Sequence, residues 1–286
     1  MRPREMRVLS RLRRLALAAL PDRLVPPLAA RAALWADEIE LHLLDLLCDR
    51  SRPSIDVGAN IGVYSYLMSR RSPRVIAVEP HPDVAALLRK GLPRNVTVVE
   101  AALSDHAGGA EIHVPVVGGI ERTTRSSLDP GANPARVMRA IRVRLRMLDD
   151  LGCDAPGLLK IDVEGHEAAV LHGGRRMLEA GRPRVLVEVV DERAPGSTRE
   201  VFDLMRGLGY EGCFVFRGDV LPLSTLSMIR HRPPAGAVAL DAPRGGGCSN
   251  NFIFLPQSEW ETLVARLRLR IQSLGVKARL RAVVRA

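Results

Sequence analysis

Ser54-Ile55-Asp56-Val57-Gly58-Ala59-Asn60-Ile61-Gly62-Val63-Tyr64-Ser65, SIDVGANIGVYS, decides how the chain is read. A short apolar run enters two glycines separated by three residues and leaves into a helix-like pattern. Gly58 and Gly62 permit a tight turn and a close backbone approach, and the following helix offers unpaired N–H groups to a ligand's negative charge. Outward from this turn, short apolar runs alternate with helical stretches: Ser54–Val57, Val75–Glu79, Val96–Ala101, Leu158–Val163, Arg184–Val190, Cys213–Phe216 and Phe252–Leu255. That alternation predicts an α/β fold, a mostly parallel sheet with helices on both faces. In such a sheet ligands bind beyond the carboxyl ends of the strands, where the strand order reverses.

Glu79 ends the next run, VIAVEP, 21 residues after Gly58. A carboxylate there can accept both hydroxyls of a ribose, which favours a nucleoside over an ordinary glycine-bearing turn. After TVVEAAL come Ser104 and Asp105. Asp105 could accept from an adenine amino group, with a simple turn aspartate as the equal alternative. A dinucleotide fingerprint needs G-x-G-x-x-G, but Asn60 holds its second glycine position and Val63 its third, which disfavours NAD and FAD. The chain has no G-x-x-x-x-G-K-[ST] phosphate loop.

The formal charge of +10 is concentrated at the ends: residues 1–23 carry +5 and residues 261–286 carry +6, leaving about −1 between them. A neutral body with 3% aromatic residues disfavours a nucleic-acid partner. The four cysteines, Cys48, Cys153, Cys213 and Cys248, show no C-x-x-C spacing, and a reducing, cytoplasmic setting is expected. No apolar run reaches the ~20 residues of a membrane span. The domain plan is a basic helical extension over residues 1–50, an α/β domain over 51–257 and a basic amphipathic helix over 258–286, its stripe made by Leu263, Leu267, Ile271 and Leu274. The end helices either pack on the protein or make peripheral contact with an anionic membrane surface. Residues 108–149, broken by Pro115, Gly118, Gly119, Pro130, Gly131 and Pro134, read as an irregular insertion, an acceptor-site lid or a linker.

IDVGANIGVYS, AVEPHP, ALSDHAG, LLKIDVEGHEAAVLHGG and PRVLVEV, in this order over about Ser54 to Val190, resemble the FkbM family of S-adenosylmethionine-dependent methyltransferases. KIDVEGHE is the most specific of these blocks. The resemblance implies a class I methyltransferase fold, a seven-stranded Rossmann-like sheet, with S-adenosyl-L-methionine as cofactor and methyl transfer usually to a hydroxyl oxygen. Position by position it implies Asp56, Gly58, Asn60 and Gly62 as the cofactor loop, Glu79 as the ribose-binding acid, and Ser104 and Asp105 on the adenine side. Where the family pattern favours Thr-Leu-Asp, RMLDDL has Met147 and offers no hydroxyl.

A hydroxyl acceptor needs somewhere to send its proton, and histidine is the commonest base. Asp162, Glu164 and His166 follow LLKIDV; with strand geometry maintained, their i, i+2 spacing points all three into the cofactor crevice. Asp162 would then face the cofactor, and His166 or Glu164 would take the proton; the plainer reading makes Glu164 and Glu167 helix-start carboxylates. The same three could ligate a divalent cation, but no metal-site signature accompanies them, so a metal is possible and not predicted. Glu188, near the end of RVLVEV, is a candidate for binding acceptor hydroxyls. His172 and His81 read as packing and turn residues. The expectation is an S-adenosylmethionine-dependent O-methyltransferase of a small molecule or glycan, with residues 118–149 shaping the acceptor pocket. The rivals are a noncatalytic, membrane-peripheral binding protein and, less favoured, a nicotinamide-dependent oxidoreductase.

Overall fold

A computed structural model describes residues 20–35, 38–117, 120–121, 126–128, 137–189, 196–226 and 250–285. The strands are β1 (Ser54–Val57), β2 (Val75–Val78), β3 (Val96–Val99), β4 (Ala102–Leu103), β5 (Gly108–Val117), β6 (Ile120–Glu121), β7 (Met138–Arg146), β8 (Leu158–Ile161), β9 (Arg184–Glu188), β10 (Tyr210–Phe216), β11 (Asp219–Pro222) and β12 (Asn251–Pro256). The helices are α1 (Val25–Trp35), α2 (Leu44–Leu47), α3 (Val63–Met68), α4 (Pro82–Gly91), α5 (Glu167–His172), α6 (Arg175–Gly181), α7 (Ser197–Gly207) and α8 (Trp260–Arg285).

One sheet runs β11-β10-β12-β9-β8-β1-β2-β3. Its neighbours from β3 to β9 are parallel, and β12 is antiparallel to both β9 and β10. This is the doubly wound, class I arrangement expected, and the chain turns from one half of the sheet to the other between β1 and β8. All seven expected runs are strands. The sheet has eight rather than seven, because Arg217 (φ 50°) and Gly218 (φ 79°) make a two-residue turn that folds β11 back onto β10. An arginine in the first turn position hides that hairpin from a sequence reader.

All four residues of β1, β2 and β8 are buried, the mark of a parallel strand covered on both faces. On one face Ile55, Val57, Leu159, Ile161, Val185 and Val187 pack with Val170, Leu178 and Met205 of α5, α6 and α7. On the other, Leu158, Leu186 and Ile253 pack with Ala30, Leu44, Leu67 and Leu267, so that α1, α2, α3 and α8 share one core. Described residues of the N-terminal extension therefore lie in the domain's core, and the α8 stripe is buried there as far as Ile271. Residues 1–19 of that extension, Val190 and Cys248 lie outside the described residues.

The insertion is not irregular where it is described. Gly108–Pro115 pair antiparallel with Met138–Leu145, β6 pairs with the tip of β5, and β4 joins β7 in parallel, giving a four-stranded sheet. Its cause is the period-two pattern of Ile141, Arg142, Val143, Arg144 and Leu145, with the arginines exposed. Residues 118–119, 122–125 and 129–136 of the expected lid lie outside the described residues.

Candidate active site

The C-terminal ends of β1, β2 and β8 surround an open cleft, walled by Gly58, Asn60, Glu79, Asp162, Glu164 and His166 and roofed in part by Ile112 and Ser126–Leu128. The turn after β1 clings to its neighbour, with Gly58 and Ala59 N–H both donating to the Val78 carbonyl at 3.0 Å. Gly58 sits at φ 76°, and a Cβ there would lie 1.8 Å from the Asp162 carbonyl oxygen, so no other residue fits between the two turns.

Glu79 is 7% exposed, and its carboxylate is gripped at both oxygens, by Asn60 N–H and His81 N–H, each at 2.9 Å. Burial pushes its pKa up to about 7 against the pull of those two donors. Beside it, the Oδ1 of Asn60 is buried without a hydrogen-bond partner. Asn60 itself is left-handed, φ 47°. A fixed carboxylate and an unpartnered carboxamide oxygen on one wall fit a polyol such as ribose.

Asp56 and Gly62, both expected in the cofactor loop, stand behind the cleft wall. Asp56 is fully buried; Ser65 donates to its Oδ2 at 2.6 Å and Lys160 Nζ lies 3.4 Å from its Oδ1. Gly62, φ 83°, caps α3 against Leu88. Lys160 received no role from the sequence. It is 5% exposed, 3.4 Å from both Asp56 and Asp162, and 4.9 Å from the Tyr64 ring centroid. Burial alone would neutralise it, but Asp162, Asp56 and Glu188 hold it charged, above the usual lysine range. A lysine inside the apolar run LLKI is the signal that could have found it, since a buried cation demands partners.

After β8 the extended geometry assumed for the i, i+2 argument fails. The strand stops at Ile161, and Glu164 (φ 57°) and Gly165 (φ 102°) bend the chain. Asp162, Glu164 and His166 nevertheless all reach the cleft, by a turn rather than by alternation. Ser127, on the far side, donates to the Glu164 carbonyl at 3.0 Å and ties the second sheet to this turn. Glu167 is 1% exposed; its Oε1 accepts Gly165 N–H at 2.9 Å, and burial pushes its pKa up to about 7. Glu188 lies outside the cleft wall; burial and Asp162 push it up to about 7, against Lys160. Ser104 and Asp105 do not line the cleft either, but stand behind His166, with Ser104 Oγ 3.0 Å from its Nε2. Burial holds the His166 pKa below the usual histidine range against the opposing charge of Asp105. Among the described residues, no group of three or more His, Cys, Asp or Glu is arranged to hold a metal ion, and no helix is long and apolar enough to cross a membrane.

Among curated proteins, the AMB antimetabolite synthetase AmbE of Pseudomonas aeruginosa is 28% identical over 198 residues, 55% of this chain and 9% of that protein. The chain thus spans under a tenth of the length of the curated relative it matches. Among solved structures, a methyltransferase FkbM from Methylobacillus flagellatus is 19% identical, with 57% of this chain and 39% of that chain covered and a TM-score of 0.41. A precorrin-6y C5,15-methyltransferase from Geobacter metallireducens is 16% identical, with 75% and 84% covered and a TM-score of 0.39. A family model, the methyltransferase FkbM domain, matches residues 56–211. That match extends from Asp56 to Glu211 and takes in the glycine turn, Glu79 and the KIDVEGHE block, more than half of the chain, and the protein belongs to the FkbM methyltransferase family.

Proposed function

We propose that the protein is an S-adenosylmethionine-dependent O-methyltransferase whose acceptor is a hydroxyl of a small secondary metabolite or a glycan. One observation carries the reading: a carboxylate fixed by two backbone N–H groups, Glu79, and an imidazole, His166, share one cleft at the reversal of the sheet. When bound, S-adenosylmethionine supplies an electrophilic methyl group on a positively charged sulfur. Glu79 and Asn60 would hold its ribose hydroxyls. Asp162, on the same wall, would present its carboxylate to the cofactor. His166, kept neutral at physiological pH by burial, takes the proton of the acceptor hydroxyl, with Glu164 as the alternative base. Residues 118–149 would shape the acceptor side, a reading supported by Ser126–Leu128 at the cleft.

Calorimetric titration with S-adenosylmethionine, S-adenosylhomocysteine and NAD in parallel tests the cofactor. Binding of the first two and not NAD is expected; binding of NAD alone refutes the proposal. A radiolabelled-methyl screen of hydroxylated acceptors then supplies a turnover assay. In it His166→Ala should lower turnover by about 10²–10⁴-fold while cofactor affinity holds.

A further inference from the structure

Ser104 is 1% exposed, and its main chain is clamped: its N–H donates to the Arg146 carbonyl at 2.9 Å, and its own carbonyl lies where a Cβ on Gly173 would have to go, 2.1 Å away. Its hydroxyl therefore has a fixed origin. From there it lies 3.1 Å from Asp105 Oδ1 and 3.0 Å from His166 Nε2. The same Oδ1 is 2.6 Å from His106 Nδ1. The two donors at His106 and Ser104 hold the Asp105 carboxyl below the usual carboxylate range, so at neutral pH it is ionised and can only accept. One hydroxyl has one proton. A charged acceptor outcompetes a neutral ring nitrogen for it, so Ser104 donates to Asp105 and its oxygen lone pair faces the imidazole.

We infer that Ser104 is a positioning residue which, backed by Asp105, accepts the Nε2–H of His166 and thereby leaves Nδ1 as the atom that takes the acceptor's proton. The inference rests on His166 as the base. The proton from the acceptor hydroxyl comes to rest on Nδ1; Nε2–H stays bonded to Ser104, and the imidazolium charge is balanced through the hydroxyl by Asp105. Hydrogen bonding at one ring nitrogen sets the tautomer and so names the other as reactive. Ser104 and His166 are 62 residues apart in sequence, which is why the pair appears only in three dimensions.

Long-range 15N–1H correlation of the imidazole rings at pH 8 reads the tautomer directly, with His166 assigned by its disappearance in His166→Gln. The expected wild-type signature is protonated Nε2 and bare Nδ1. In Ser104→Ala the ratio of the two tautomers should fall about tenfold, the loss of one hydrogen bond of about 1.4 kcal/mol. Ser104→Thr, which keeps the hydroxyl, should restore it. A wild-type His166 protonated at Nδ1, or a tautomer ratio in Ser104→Ala unchanged from wild type, overturns the inference. Since the readout needs neither cofactor nor acceptor, it separates from the functional reading: full turnover in His166→Ala removes the base assignment and leaves the tautomer result standing.

Discussion

The turn after β1 and the turn after β8 touch across the Gly58 to Asp162 contact, and they manage their polar groups in opposite ways. In the first, the amides of Gly58, Ala59 and Gly62 are bonded to carbonyls of the same neighbourhood and the Asn60 amide to Glu79. In the second, Glu164 is left-handed, the Oε2 of Glu167 is buried without a hydrogen bond, and Asp162 leans on a buried lysine shared with Asp56. Both turns carry left-handed residues and a buried, unpartnered side-chain oxygen, Asn60 Oδ1 in the first and Glu167 Oε2 in the second, so the contrast lies in the buried carboxylates crowded at the second, and such excess charge gathers at functional sites. The difference fits the proposed division, with holding at the first turn and reacting at the second.

The sharpest way to break this comparison is Lys160→Met. It strands Asp56 as an uncompensated buried charge and should cost about 3–5 kcal/mol in urea unfolding, with much of it recovered in the double variant with Asp56→Asn. A neutral single variant would remove Lys160 from the account. Next comes Gly58→Ala, which forces the two turns apart and adds left-handed strain; about 3 kcal/mol of stability should go, together with cofactor affinity. Equal stability loss with intact affinity would uncouple the first turn from binding. A third effect is in pH. Glu40, Glu79, Glu167 and Glu188 are each raised from 4.5 to about 7, first of all by burial. The folded state then holds protons that the unfolded state has released, so their contribution is fully present below pH 4.5 and is lost as pH rises through about 7. The urea midpoint should therefore fall between pH 5 and pH 8, and Glu167→Gln should flatten the decline; a slope unchanged by that variant would acquit the second turn.

Much of this geometry can be read from residues alone, because an apolar run buried on both faces has to be a central strand and a glycine must stand where two backbones meet. Gly58, Asn60, Glu79, Asp162, Glu164 and His166 do converge on one cleft. What escapes the reader depends on distance along the chain. Asp56 looks like part of a ligand loop, but its partners Ser65 and Lys160 turn it inward. Ser104 looks like a neighbour of the adenine, and only the fold brings it to His166. The alternation in Ile141–Leu145 was visible, yet the surrounding prolines and glycines masked it as loop.

α1 and α8 lie in a single layer, near opposite ends of the sequence, with Ala30 and Ala33 sharing a core with Leu263, Leu267 and Ile271. During synthesis that face of the sheet stays open until the last of these residues has left the ribosome, an arrangement of high contact order that folds late and exposes apolar surface meanwhile. A truncation at residue 257, the boundary suggested by composition, would make that exposure permanent and yield an aggregating protein rather than a smaller enzyme.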